Sequence, residues 1–162
     1  MLTGLSGLNS SLRNKLYIGI IGAGECDAGL AEMARALGKA IAEMGAVLVC
    51  GGMQGVMSAA CQGAKEAGGL TLGILPGSER SQANRFIDIP VATGLGEARN
   101  LLIIRTADVL VAIGGSYGTL SEIGFALKLG KPVIGLKTWQ IEGVVQVESV
   151  AEVMAILRQK GG

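Results

Sequence analysis

The run Asp108-Val-Leu-Val-Ala-Ile113, continuing into Gly114-Gly-Ser-Tyr-Gly-Thr-Leu-Ser-Glu122, constrains this chain more than any other stretch. Its first part is short, apolar and carries β-branched residues. That is the pattern of a strand buried on both faces, as in a parallel sheet between two helix layers. Its second part is a glycine-rich turn leading into a helix expected from Thr119 to about Leu129. A strand, a glycine turn and a helix N-terminus together form an anion site. Unpaired backbone N–H groups and the positive end of the helix dipole face whatever lies over the turn, and glycine lets a phosphate approach the backbone closely.

The same order of elements recurs along the chain. Lys15–Ile21 reads as the first strand, followed by the turn Gly22-Ala-Gly24-Glu25-Cys-Asp27. From Leu30 to Met44, apolar residues recur at three- and four-residue steps, the period of an amphipathic helix, which Gly45 ends. Ala46–Cys50 is a second strand, and Gly51-Gly-Met-Gln-Gly55 a second glycine turn opening a helix over Val56–Ala67. Thr71–Leu75 is a third strand ended by Pro76-Gly77, Ser78–Arg85 a polar loop, and Phe86–Ile89 a short strand. Gly94 or Gly96 leads into a helix through Arg105. Its four consecutive apolar residues, Leu101–Ile104, cannot all face one side, which suggests cover by the sheet and by a partner subunit. Lys131–Leu136 is the last clear strand, Trp139–Val147 is ambiguous between loop and irregular strand, and Glu148–Lys160 closes the chain as a helix. Strands alternating with helices predict one α/β doubly wound domain over residues 15–162, with a mainly parallel sheet and helices on both faces. Residues 1–14 read as a flexible N-terminal arm. In such sheets ligands bind beyond the carboxyl ends of the strands, where the winding reverses, and all three glycine turns belong to that edge.

Composition narrows the chemistry. The 162 residues suit one domain, and a 49% apolar content with only 3% aromatics suits a sheet covered on both faces, with apolar surface left for subunit contacts. A net charge of +1 gives no footprint for a nucleic-acid polymer or an anionic membrane. Cys26, Cys50 and Cys61 have no CxxC spacing and read as reduced, near-core thiols of a cytoplasmic protein. There is no histidine. Ser-His and Cys-His nucleophile pairs and imidazole-dependent zinc sites are therefore excluded, leaving carboxylates, Lys and Arg for acid–base work.

Each motif carries a structural and a functional reading. Gly22-x-Gly24-x-x-Asp27 lacks the third glycine of a dinucleotide fingerprint, and no acidic residue closes the second strand to hold a ribose. A tight strand-to-helix turn explains it. The Gly51–Gly55 and Gly114–Thr119 turns are either close-packing devices or an anion cradle. Thr119-x-x-Glu122 is either a capping box, each side chain satisfying the other's backbone N–H, or a pair in which Glu122 faces a ligand. Arg99 is either a solvated surface residue or, near a helix start that disfavours cations, the partner of an anion.

Gly51-Gly-Met-Gln-Gly-Val-Met57, Gly73-Ile-Leu-Pro-Gly77, Ala92-Thr-Gly-Leu-Gly-Glu-Ala-Arg-Asn100 and Ile113-Gly-Gly-Ser-Tyr-Gly-Thr-Leu-Ser-Glu122 resemble the lonely-guy (LOG)-like family once labelled "possible lysine decarboxylase". That family includes cytokinin-activating phosphoribohydrolases and molybdenum cofactor carrier proteins, and the stretches 92–100 and 120–132 look closest to the carrier branch. The resemblance implies a Rossmann-like fold, a homo-oligomer (dimer or tetramer) and a phosphorylated small molecule, with the molybdenum cofactor as a possible cargo. On this reading Gly51, Gly52, Gly55, Gly114, Gly115, Ser116, Gly118 and Thr119 cradle the phosphate. Arg99 and Asn100 clamp it, and Gly22, Gly24 and Glu25 border the heterocycle. In a LOG-type hydrolase, which splits a nucleoside 5′-monophosphate into base and ribose 5-phosphate, Arg99 and Glu122 match the catalytic positions. Ile113 stands where that motif has proline, and Asn100 where those enzymes carry lysine. A nucleotide-sensing module without turnover shares the same cradle, and no feature resembles the lysine of a pyridoxal-phosphate decarboxylase.

Overall fold

The structure is a computed structural model that describes residues 12–161; most of the expected N-terminal arm lies outside the described residues. The strands are β1 (Tyr17–Gly22), β2 (Val47–Cys50), β3 (Leu70–Leu75), β4 (Ile89–Ala92), β5 (Val109–Ile113), β6 (Val133–Leu136) and β7 (Val144–Val147). The helices are α1 (Ala28–Glu43), α2 (Val56–Glu66), α3 (Asn100–Thr106), α4 (Tyr117–Lys128) and α5 (Val150–Lys160). All strand pairs are parallel, in the order β4-β3-β2-β1-β5-β6-β7. The α/β Rossmann-like expectation therefore holds. Among the described residues no helix is long and apolar enough to cross a membrane.

Alternation along each central strand divides the core in two. Ile18 and Ile20 of β1, Leu48 of β2 and Val109, Val111 and Ile113 of β5 point toward α1, α2 and α5. Ile21, Val47, Val49, Leu110 and Ala112 point the other way, toward α3 and α4. β2, β5 and β6 are buried at every position. Continuous apolar runs therefore mark the interior of the sheet. At one edge, β4 bonds only to β3, and there Pro90 is tolerated because no further strand needs its missing N–H.

Four elements differ from expectation. The fourth strand is Ile89–Ala92, not Phe86–Ile89. The residues before it make side-chain bonds instead: Asp88 accepts from Thr71 N at 3.0 Å and pairs with Lys65 at 2.8 Å. The helix expected through Arg105 is split into a 3₁₀ turn, Gly96–Arg99, and α3. Of its apolar run, Ile103 and Ile104 are buried under the sheet, while Leu102 stays 38% exposed. The ambiguous 139–147 stretch forms a strand only over Val144–Val147, and the Trp139 indole in the preceding loop donates to Ser116 O at 3.1 Å. Finally α4 starts at Tyr117 rather than Thr119, with Ser116 as N-cap.

α1 and α2 approach closely through glycines. A Cβ at Gly38 would lie 1.8 Å from Ala60 O, and one at Gly63 1.9 Å from Arg35 O. Alanine in a helix gains up to about 1 kcal/mol over glycine. The backbone collision exceeds that gain, since overpacking costs about 1–3 kcal/mol. Gly38→Ala is therefore expected to destabilise the protein in urea titrations, and unchanged stability would show that the two helices are not in contact at this point.

Candidate functional site

The sheet winds outward from β1 through β2, β3 and β4, then returns to β1's other side as β5, so the reversal lies between β1 and β5. Their register is Ile18↔Val109 through Gly22↔Ile113, which ends the two strands level. Beyond those ends lies a cavity of about 260 Å³, walled by the turns after β1, β2 and β5 and by the 3₁₀ turn before α3. A second cavity of about 550 Å³ adjoins it, and Glu97, Asn100 and Gly118 border both.

Gly22, Gly24, Gly51, Arg99, Asn100, Ser116, Gly118, Thr119 and Glu122 all line the first cavity. Gly52, Gly55, Gly114, Gly115 and Glu25 do not; they sit in the same turns, facing elsewhere. Gly55 (φ +69°) passes under the β1 turn, where a Cβ would fall 2.4 Å from Ala23 O. Gly115 (φ +109°) leaves room for Thr119, whose Oγ1 would lie 2.3 Å from a Cβ there. A Cβ at Gly52 would strike Leu75, and one at Gly114 would press on Leu30. Glu25 is exposed on the β1 turn.

The two helix starts are not equivalent. α2 has Gly55 as N-cap, and its Val56 N–H donates to Ala23 O at 3.1 Å, so this end is partly satisfied by protein. At α4 the Ser116 side chain makes no capping bond, and Ser116, Gly118 and Thr119 border the cavity. The positive end of α4 thus faces open space. The capping-box alternative for Thr119 and Glu122 is not realised. With the helix beginning two residues earlier, both side chains lie within the helix and are buried, at 2% and 9% exposure.

Arg99 and Glu122 both line this cavity. Arg99 Nη1 donates to Asn100 Oδ1 and Nη2 to Gly51 O at 3.4 Å, while its Nε is buried without a partner. Burial pulls the guanidinium below its ordinary value, and Glu122 acts in the opposite direction. Burial pushes the Glu122 carboxyl up to about 7, with Arg99 drawing it back down. The two attract but form no salt bridge. At neutral pH the site therefore combines a fixed cation, a half-neutral carboxyl and a helix N-terminus, with Glu97 also on its border.

The cavity wall also includes Ile20, Ile21, Ala23, Met57, Pro76, Glu97 and Ile103, to which the sequence assigns no ligand role. Pro76 follows the carboxyl end of β3, so the strand-end rule points to it. Glu97 lies within the same Gly96–Asn100 run as Arg99. Met57 and Ile103 follow the ordinary apolar period of their helices, which does not separate a ligand wall from a core contact.

A model of the SLOG cluster4 family matches residues 15–160. Among solved structures, the molybdenum cofactor binding protein of the phototrophic bacterium Rippkaea orientalis is 38% identical, with a TM-score of 0.86 over 91% of this chain and 98% of that one. The molybdenum cofactor carrier protein of Chlamydomonas reinhardtii is 39% identical, with a TM-score of 0.84 over 90% of this chain and 98% of that one. A cytokinin riboside 5′-monophosphate phosphoribohydrolase of Mycobacterium tuberculosis is 29% identical over 68% of this chain and 64% of its own length.

The raised Glu122 carboxyl has a consequence for stability. Its folded value of about 7 exceeds the ordinary 4.5, so its contribution is fully present below the ordinary value and is lost as pH rises through about 7. Glu122→Gln should thus stabilise the protein relative to wild type at about pH 8, by at most about 3 kcal/mol, and much less near pH 4. Thermal unfolding across that range checks this; a pH-independent difference would mean that the carboxyl titrates normally.

Proposed function

The chain belongs to the SLOG cluster4 family, and from that membership and the cavity we propose that it binds and carries a phosphate-bearing heterocycle, with the molybdenum cofactor or its pterin as cargo. The carrying observation is the convergence of the uncapped start of α4 with Arg99 in one hollow beyond β1 and β5. Backbone donors and one guanidinium hold an oxyanion without a strained nucleophile, as a carrier requires. The likeness to two proteins named for molybdenum cofactor binding and carriage supports this cargo. Gly51, Ser116, Gly118 and Thr119 form the phosphate wall, Arg99 is the clamp, and Gly22 and Gly24 border the ring. We place the protein in the cytoplasm as a homo-oligomer. Leu95, Leu102, Tyr117 and Phe125, exposed at 54%, 38%, 80% and 42%, support a further subunit against α3 and α4.

The opposition of Arg99 and Glu122 favours one second reading, hydrolysis of a nucleoside 5′-monophosphate, with the mycobacterial relative in its support. Two residues favour binding over turnover: Ile113 stands where the hydrolase motif has proline, and Asn100 where those enzymes carry lysine.

Mass spectrometry of the small molecule that co-purifies is expected to find a phosphorylated pterin, and chromatography of a purine monophosphate panel to find no free base. Base release that Glu122→Gln abolishes would establish the hydrolase instead. Arg99→Ala should weaken ligand binding by about 1.5–3 kcal/mol, the range for hydrogen bonds to charged groups; unaltered affinity in calorimetry would remove the clamp. At Gly118 a Cβ meets nothing within 4 Å, so Gly118→Val should fold normally yet fill the wall and block binding. A valine variant that binds as wild type does would take Gly118 out of the site.

A further inference from the structure

Arg99 and Asn100 are consecutive residues at the junction of the 3₁₀ turn and α3, and both side chains reach the same cavity. The guanidinium is held on two sides, by Asn100 Oδ1 at Nη1 and by Gly51 O at Nη2. It makes no salt bridge to Glu122, although the two groups border one hollow and attract. We propose that Asn100 is a positioning residue: its side-chain oxygen keeps the Arg99 guanidinium over Gly51 and apart from Glu122, so that its charge stays available to the oxyanion of the ligand.

The residue type fits the task. An amide oxygen accepts from a guanidinium without neutralising it, so the clamp keeps its full charge. A carboxylate there would pair with Arg99 and compete with the ligand, and an ammonium could accept nothing. Both contacts are to neutral acceptors, Asn100 Oδ1 and a main-chain carbonyl, and Nε keeps no partner at all. The arginine is thus oriented by groups that leave its charge uncompensated. Glu122 is faced by Arg99 from the approach to α3 and by the buried Cys50 thiol from β2, while Glu97 borders the same cavity. β1 brings only Ile20, Ile21 and Gly22 to that cavity. Arg99 is therefore the one cation whose release would reach this carboxyl among the described lining residues.

The inference rests on the anion-binding reading above. Its test is calorimetric titration of the full chain with inorganic phosphate and adenosine 5′-monophosphate across the pH range bracketing neutrality. For the unaltered protein, affinity should fall as Glu122 ionises near pH 7 and sets a negative charge beside the phosphate. In Asn100→Ala the guanidinium is free to turn to Glu122, so affinity should fall by about tenfold and the inflection should move to lower pH. In Asn100→Asp an acceptor still holds Arg99, and the added charge opposes ionisation of Glu122. Affinity falls there too, but the inflection stays at or above that of wild type. The phosphate's own ionisation is common to all three proteins and cancels in the comparison.

A merely structural role for Asn100 would lower affinity without moving the inflection, and that result overturns the proposal. So does an Asn100→Ala protein that binds within about twofold of wild type. If that variant does not fold, Asn100→Leu, which keeps a similar volume without an acceptor or a charge, decides: an inflection below that of wild type supports the proposal, and an unmoved one overturns it. Binding of neither probe by the unaltered protein overturns the anion-site reading and this inference together, whereas intact binding with an unmoved inflection overturns this inference alone.

Discussion

The structure depends on there being no side chain at Gly22. This residue ends β1 opposite Ile113 of β5, and a Cβ on it would lie 2.5 Å from Ile113 O and 2.9 Å from Val56 Cγ1. The turn after β5 and the first residue of α2 are both seated against that bare backbone. Because β1 is the central strand from which the sheet winds in both directions, this contact sets how close the two halves come. The turns after β1, β2 and β5 then share one hollow, and the start of α4 opens onto it. A bulkier residue would push those turns apart and separate Gly51 from Ser116 and Gly118.

Within that hollow the charges follow from burial rather than from pairing. A solvated arginine and glutamate at such a place would each be ionised and screened. Here two of the guanidinium nitrogens bond to neutral oxygens, its Nε has no partner and the carboxyl is desolvated, so the carboxyl gives up its charge more readily than the arginine does. The result is a hollow in which one guanidinium and the helix end stand beside a half-ionised Glu122, with Glu97 also on its border. Neither side chain produces that alone.

The layered fold was legible because β1, β2, β3, β5 and β6 are apolar runs with glycine or proline at one end or both, and the long helices carry their own period. What escaped was set by contacts distant in sequence. Phe86–Ile89 reads as strand, but Asp88 is drawn to Thr71 and Lys65, so pairing begins only at Ile89. Thr119 and Glu122 have the spacing of a capping box, yet Ser116, whose backbone O receives the Trp139 indole, takes the cap position and turns the pair into interior residues. The glycines of the three turns look alike in sequence. Gly51 and Gly118 face the cavity while Gly52 and Gly55 accommodate Leu75 and the β1 turn, a difference decided by which neighbour each backbone meets. Nothing about the spacing of Glu97 separates it from a solvated helix-start acid, although it borders the cavity.

Holding a phosphorylated ligand and cleaving one require the same cradle, so the distinction must lie in a group that changes state. Glu122 is that group. As a neutral carboxyl it donates one hydrogen bond and adds no charge against the phosphate, which favours retention. As a carboxylate it would stabilise a developing ribosyl cation, at the expense of repelling the phosphate nearby. Which state prevails depends on how far the carboxyl is buried and how strongly Arg99 is drawn toward it, and Arg99 is itself tethered by Asn100 and Gly51. On the proposed reading, a single amide at the start of α3 would bias such a fold toward keeping its ligand, with the backbone donors of α4 unchanged.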